Sequence, residues 1–249
     1  MTKSFWWALF YLYVVACQST PLEKQLDNEV FVAVREDNKT ITDDTIRELF
    51  EKLKQAIGNE ITINEQKISI NSSTTEGNLN VAGNVSDVHL TDPSSYVVSE
   101  AHADMQTLTF QLVLKYKELN VIGNYGLDAE NEMFHVIGGG KFSGNAKDIS
   151  IEVGCKFNLT LEKTLQMEYF DLNYIVRNIT MDFENLGGDK DVTEVLNQFI
   201  NIALPTIINV TKGDVQKVVN QAVRKYSAFL FTGMTVDQLV GYIYDIINM

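Results

Sequence analysis

The sequence predicts an α+β fold in which a strongly curved antiparallel β-sheet wraps a long C-terminal helix, with an amphipathic helix ahead of the sheet. Three observations predict it. From Ile61 to Phe183 apolar residues recur with period 2, and no helix-length segment interrupts them. From Asp189 to Phe231 the period becomes 3.6. Within the strands the alternation slips phase and is spotted with glycine, a pattern of bulges, and bulged strands curve a sheet.

Residues 1–19 are expected to be a signal peptide. Lys3 supplies the positive start, and Phe5–Ala16 is an apolar run of twelve, too short to span a bilayer. Cleavage after Ala16, Cys17 or Ser19 fits the small-residue pattern. No other stretch is long and apolar enough for an integral membrane span. Leu22, Leu26, Val30 and Val34 have the spacing of a short helix. Asp37, Asn38 and Lys39 end it. Thr42 then reads as an N-cap with Asp43 and Asp44 in the first turn. Ile46, Leu49, Phe50, Leu53 and Ile57 follow at helical spacing, and Gly58 closes the helix.

Ile61 and Ile63, then Ile68 and Ile70, open the strand region. Leu79, Val81, Gly83 and Val85 alternate until the phase slips at Asp87, which predicts a bulge. Asp92–Ser95 reads as a turn. Leu108, Phe110, Leu112, Leu114 and Tyr116 alternate cleanly. After Lys117 and Glu118 the phase inverts to Leu119, Val121, Gly123, Tyr125 and Leu127, which is either one bent strand or two. Gly138–Gly140 is expected to be a hinge or tight turn. Ile149, Ile151, Val153, Cys155, Phe157 and Leu159 alternate again, as do Leu165, Met167 and Tyr169, then Ile179, Met181 and Phe183.

The long helix starts after Gly187 and Gly188. Its first half carries Val192, Val195, Leu196, Phe199, Ile200, Ala203, Leu204, Ile207 and Ile208; its second carries Val215, Val218, Val219, Ala222, Val223, Tyr226 and Leu230. A kink or break is expected at Pro205, with Gly213 a second weak point. Unbroken, the rod would span roughly 65 Å, against a diameter near 45 Å for a compact chain of about 230 residues. Either the molecule is elongated or the helix is in two pieces. Thr235–Met249 has the spacing of a further amphipathic helix, able to plug one end, meet a partner or cap the core. The expected organisation is a signal peptide (1–19), one lipid-binding-type domain (20–234) and a helical extension (235–249).

Composition narrows the function. Loss of Lys3 leaves 19 basic against 33 acidic side chains, which disfavours nucleic acid and anionic membranes as partners. With Cys17 at the signal boundary, Cys155 is alone, so no disulfide framework is expected. Six sequons fit an extracellular address. Asn38, Asn71, Asn84, Asn158 and Asn178 are the expected glycosylation sites, whereas Asn209 falls inside the long helix. No catalytic motif or metal-ligand spacing is present, and no cofactor is expected. His89, His102 and His135 are scattered. Pairing of His89 with Asp87, or His135 with Glu132, would make surface pairs. Cys155 shares a strand face with Ile151, Val153 and Phe157 and reads as a small buried hydrophobe.

The order of elements resembles the takeout / haemolymph juvenile-hormone-binding superfamily. The segments that carry the resemblance are Leu119–Leu127, Ile137–Ile151 with Gly138–Gly140, Phe142 and Gly144, Phe183–Gly188, and Leu196–Asn201 with Pro205. It covers roughly residues 40–231. The resemblance implies a super-roll, a long helix wrapped by a curved antiparallel sheet around a tunnel for juvenile-hormone-like terpenoids, fatty acids or related lipids. Takeout-like members carry an N-terminal cysteine pair. Its absence here is more similar to the group 7 mite allergens, relatives with the same roll.

The apolar faces support the same expectation. Leu108, Phe110, Leu112, Leu114, Val121, Tyr125, Ile151, Val153 and Phe157 of the strands are expected to confront Leu196, Phe199, Ile200, Ala203 and Ile207 of the helix. Incomplete closure between them would leave an apolar tunnel for a lipophilic small molecule, and Gly83, Gly123 and Ala203 favour space. Tyr116, Tyr125, Tyr169 or Asn201 would supply a hydrogen bond to a head group. The expected function is a secreted, non-enzymatic carrier. The alternative is a secreted interaction protein with a filled core, acting on an unknown receptor or partner through its acidic surface or C-terminal helix.

Overall fold

The computed structural model describes residues 40–248, apart from 75–76, 132–134 and 232. The expected signal peptide, the short helix over Leu22–Glu36 and the Asn38 sequon lie outside the described residues. Helix α1 (Asp43–Ile57) precedes strands β1 (Glu60–Thr74), β2 (Gly77–Thr91), β3 (Val97–Asp104), β4 (Thr109–Asn131), β5 (His135–Leu159) and β6 (Leu165–Phe183). Helices α2 (Lys190–Leu230) and α3 (Val236–Asn248) follow. All strand pairs are antiparallel, and the sheet runs β1-β2-β4-β5-β6 without closing.

Helix α1 starts where its residues dictate. The Thr42 hydroxyl accepts from the Thr45 amide and the Thr45 hydroxyl accepts from the Thr42 amide, satisfying two otherwise orphaned donors. The helix finds its surface on β3 and α3. The Arg47 guanidinium donates to the Val98 carbonyl at 3.0 Å, and the Tyr96 hydroxyl donates to the Phe50 carbonyl at 2.6 Å.

Strand β3 was not expected from the sequence. Its eight residues carry only a weak alternation, and its register with β4 slips between Val98 and Glu100. β4 is long enough to take two partners on one edge. β3 lies along Thr109–Lys115 and β2 along Asn120–Asn131. β4 is also one strand rather than two: its register with β5 is the same at Tyr116↔Ile149 and Glu118↔Lys147, while the buried parity inverts across 117–120. The bulge expected at Asp87 is present, with φ of 47° there and a register slip between Ser86 and His89.

Gly138–Gly140 is neither hinge nor turn. It lies inside β5, opposite Leu127, Gly126 and Tyr125. The reason is close approach by the chain that follows β6. A Cβ on Gly138 would stand 3.0 Å from the Leu186 side chain, and one on Gly140 would stand 3.1 Å from the Glu184 carbonyl oxygen. Strand glycines commonly mark such contacts.

Helix α2 runs 41 residues through Pro205 without a break, so the elongated alternative holds. Asp189 caps it, its carboxylate accepting from the Asp191 and Val192 amides. β6 ends the sheet, and the outer polar groups of such an edge need partners. The helix provides them. The Asn197 side chain accepts from the Phe183 amide at 3.0 Å and donates to the Phe183 carbonyl at 2.9 Å. One turn on, the Asn201 side chain accepts from the Met181 amide at 2.7 Å and donates to the Met181 carbonyl at 2.8 Å. Further along, Gln216 donates to the Leu172 carbonyl at 2.7 Å. The periods match: four helical residues rise ~6 Å and two strand residues ~6.6 Å. Asparagines four apart therefore meet alternate strand residues, with the helix antiparallel to β6. Pinned on both sides of an exposed Pro205, the helix survives the hydrogen bond that proline removes.

Candidate functional site: an apolar interior in two clusters

The apolar residues gather in two buried groups. One lies between β3, the first half of β4, the second half of β5, α1 and α3; its centre includes Tyr96, Leu112, Leu114, Tyr116, Phe157 and Ile243. The other draws on β1, β2, β4, β5, β6 and the first half of α2; its centre includes Ile63, Val88, Tyr125, Phe142, Met181 and Leu204. Ile57, the last residue of α1, packs against both. They abut along β4 and β5, where the pair Leu119↔Ala146 borders the first and Val121↔Gly144 the second.

The structure divides the tunnel residues named from the sequence between these clusters. Leu108, Leu112, Leu114 and Phe157 are buried in the first, with Phe110, Ile151 and Val153 packed against it. Tyr125 is buried in the second, with Val121, Leu196 and Ile200 against it. Ala203 and Ile207 are half-buried and belong to neither. Phe199 stands apart, 67 % exposed on the outward side of α2. Nothing in the sequence showed that Phe231, at the end of α2, closes the first cluster edge-on against Phe157, ring centroids 4.9 Å apart. Nor did it show Phe183 between Tyr125 and Phe142 in the second, with centroids at 5.1 and 6.0 Å.

The glycines expected to leave space do not. A Cβ on Gly123 would stand 2.8 Å from the Phe142 ring, and one on Gly83 would stand 2.5 Å from the Gly126 carbonyl oxygen. Neighbouring atoms already occupy the volume a side chain would take.

The polar candidates for a head group are mostly committed. The Tyr125 hydroxyl donates to the Glu184 carbonyl at 2.7 Å, and burial pushes its pKa up. The Asn201 amide is used on Met181 and on the Asn197 carbonyl. Tyr116 packs edge-on against Tyr96 at 5.7 Å, and Tyr169 is half-buried opposite Lys156. Polar residues sitting within the apolar arc of α2 were the available signal for the docking role of Asn197 and Asn201. That role became readable only once β6 was known to end the sheet.

Catalytic chemistry finds little here. His89 pairs with Glu60, His102 lies 3.3 Å from Asp43, and His135 lies 2.8 Å from Asp128. Both histidine partners differ from those considered from the sequence, because the pairs form across strands. All three sit at the surface. Among the described residues no group of His, Cys, Asp and Glu is placed to hold a metal. No helix there is long and apolar enough to cross a membrane. An open recess of about 490 Å³ lies beside the start of α2, lined by His135, Ile137, Gly138, Gly139, Asn185, Gly187 and Gly188. None of the tunnel residues lines it, and its openness gives an apolar ligand no enclosure.

Cys155 packs half-buried against the first cluster, and burial pushes its thiol from 9.0 up to about 11. Two pH units reduce the thiolate about 100-fold. Near pH 8 the folded protein is therefore expected to react with a thiol reagent about 100-fold more slowly than the unfolded chain, the rate climbing with pH until near 11. The fold favours the neutral thiol, so its contribution to stability is intact below pH 9 and declines as pH rises towards 11. Equal labelling rates for native and denatured protein would contradict burial. Of the sequons, Asn158 and Asn178 are exposed on β5 and β6, Asn84 is half-buried on β2, Asn71 lies in β1, and Asn209 is exposed on α2.

A family model described as haemolymph juvenile hormone binding protein (JHBP) matches residues 12–241. No curated protein matches the chain. Among solved structures, Takeout 1 of Epiphyas postvittana is similar with a TM-score of 0.45 at 14% identity, over 67% of this chain and 78% of that one. A lipopolysaccharide binding protein is similar with a TM-score of 0.36 at 11% identity, over 74% of this chain and 37% of that one.

Proposed function

The chain belongs to the haemolymph juvenile hormone binding protein family, and on that premise we propose that it is a secreted carrier of a lipophilic small molecule. The ligand class is a juvenile-hormone-like terpenoid, a fatty acid or a related lipid. The observation that carries this reading is the apolar interior, spread over two adjoining clusters whose hydrogen-bonding side chains Tyr96 and Tyr125 are already engaged by backbone carbonyls. Such an interior selects for hydrocarbon rather than for a polar group. Each buried CH₂ contributes about 0.8 kcal/mol, so a chain of a dozen carbons contributes roughly 10 kcal/mol before the cost of association.

The seam between the clusters is where we place the ligand. It is floored by Gly144 and Ala146 and closed by Met181, whose sulfur lies 2.5 Å from where a Gly144 Cβ would be. A methionine is the side chain most easily repacked around a guest. The sequence-named residues on both sides, from Leu112 to Val121 and Tyr125, would form the walls. Residues 20–234 act as the carrier domain, and α3 is its extension, seated on α1 with Leu239, Val240, Ile243 and Ile247 buried. Asn158 and Asn178 are the best placed for glycans. The exposed histidine pairs support a binding role over an enzymatic one.

Native mass spectrometry of the purified protein, before and after organic extraction, tests the carrier. The expected result is an adduct of lipid mass that extraction removes and added fatty acid restores. A bare protein that neither yields a lipid nor takes up a fluorescent fatty-acid probe overturns it. That outcome would favour the second reading, an interaction protein with a filled core, for which the occupied space beside Gly83 and Gly123 is the specific support.

A further inference from the structure

The outward face of α2 changes character along its length. In the first half it carries Val192, Val195, Phe199, Ile202 and Val210, of which Phe199 is 67 %, Val210 75 % and Ile202 79 % exposed. Among the described side chains of the second half, the exposed residues are Gly213, Asp214, Lys217, Gln221, Arg224, Lys225 and Ala228. One helix face whose exposed positions are apolar from Val192 to Ile202, about three turns, and mostly polar in the second half is not the pattern of scattered surface hydrophobes. Val192, Val195, Phe199 and Ile202 step by three, four and three, and Thr206 and Asn209 continue the step. The four apolar positions have the spacing of a short coiled-coil seam.

We propose that this face pairs two copies of the chain, antiparallel, about a two-fold axis beside Phe199 and Ile202. Charge decides the direction. At one end of the seam Asp189, Asp191 and Glu194 outnumber Lys190, and at the other Lys212 and Lys217 outnumber Asp214. Parallel pairing sets like charges against each other. Antiparallel pairing sets each acidic end against a basic end and opposes the helix dipoles. Alternating seam positions then place Phe199 against the partner's Ile202 and Val195 against the partner's Thr206. Asp191 comes opposite the partner's Lys212, whose ammonium in the single chain lies 5.6 Å from the Tyr174 ring centre at the flank of the helix. The contact is isologous, so it closes at two chains. It also requires Asn209 to be unmodified, because that side chain meets the partner's Val192 and a glycan would part the helices. The pairing does not depend on a lipid in the interior.

Sedimentation velocity of the full mature chain over a range of about 1 to 200 µM tests this, at concentrations where weak interfaces are populated. The expected result is a reversible monomer–dimer equilibrium. Ile202→Glu is expected to raise the dissociation constant roughly 100-fold by placing two like charges at the centre of the contact. At concentrations where both proteins are monomeric its thermal midpoint should match the parent's, since Ile202 touches solvent rather than core. Asp191→Lys and Lys212→Asp should each weaken pairing, and the double variant should recover it. A monomer throughout the range overturns the proposal. So does a dimer that Ile202→Glu leaves intact, a glycan on Asn209 of the natural protein, or vesicle binding by this face without self-association.

Discussion

Asn197→Ala is expected to lower the unfolding free energy by about 2 to 4 kcal/mol, a large effect for a polar residue on a helix. Asn197 is 9 % exposed. Its side-chain amide takes both the N–H and the C=O of Phe183, and its nitrogen also donates to the Asp182 carboxylate at 3.0 Å. Alanine would leave those backbone groups facing a helix that offers nothing in return. Each polar group stranded away from water costs about 1–3 kcal/mol. In a chain of this size the midpoint should fall by roughly 5 to 15 °C. Asn201→Ala should act in the same direction through Met181, and because both side chains hold the same stretch of α2 to the same edge of β6, the double variant should not be additive. Gln198, exposed on the other side of the helix, is the control, and its alanine variant should move the midpoint little. Thermal or urea unfolding decides the matter. An Asn197→Ala protein as stable as the parent would mean that α2 is held to β6 by apolar packing alone.

Gly83→Ala is the second large effect. The alanine methyl would sit 2.5 Å from the Gly126 carbonyl oxygen, closer than any non-bonded contact, and the obstacle is backbone rather than a side chain that can turn away. β2 and β4 would have to separate at Asn84↔Gly126, in the middle of their ladder. The expected cost is about 1–3 kcal/mol, with faster amide exchange along the β2–β4 pair. Gly154→Ala provides the contrast. Its methyl would meet nothing nearer than a Tyr169 ring atom at 3.9 Å, and strand propensity there favours alanine over glycine. If both substitutions have the same effect, the close approach at Gly83 is not what makes the residue necessary.

Period was the strongest message in the chain. It located α1 with its Thr42 cap and Gly58 stop, the bulge at Asp87, the second half of β5, the two ends of β6 and the two C-terminal helices, because a change from 2 to 3.6 is written residue by residue. Short β3 escaped, since eight residues with a slipped register scarcely alternate. Gly138–Gly140 misled for a different reason. Glycine signals conformational freedom and close approach equally well, and only the position of Glu184 and Leu186 above β5 shows which applies. The site followed the same rule. The sequence could name the apolar faces but not divide them, so Phe199 was grouped with Leu196 and Ile200 although it points the opposite way.

By itself, then, the sequence determined which residues are apolar on which face of which element, because that information is local and repeats at the backbone period. The tertiary structure alone decided which faces meet. That β6 would end the sheet, that Asn197 and Asn201 would replace a neighbouring strand, and that half of α2 would stay uncovered all depend on contacts between residues far apart in the chain. A side chain's period says that it seeks a partner. Only the packed fold says whether the partner is strand, helix, ligand or a second molecule.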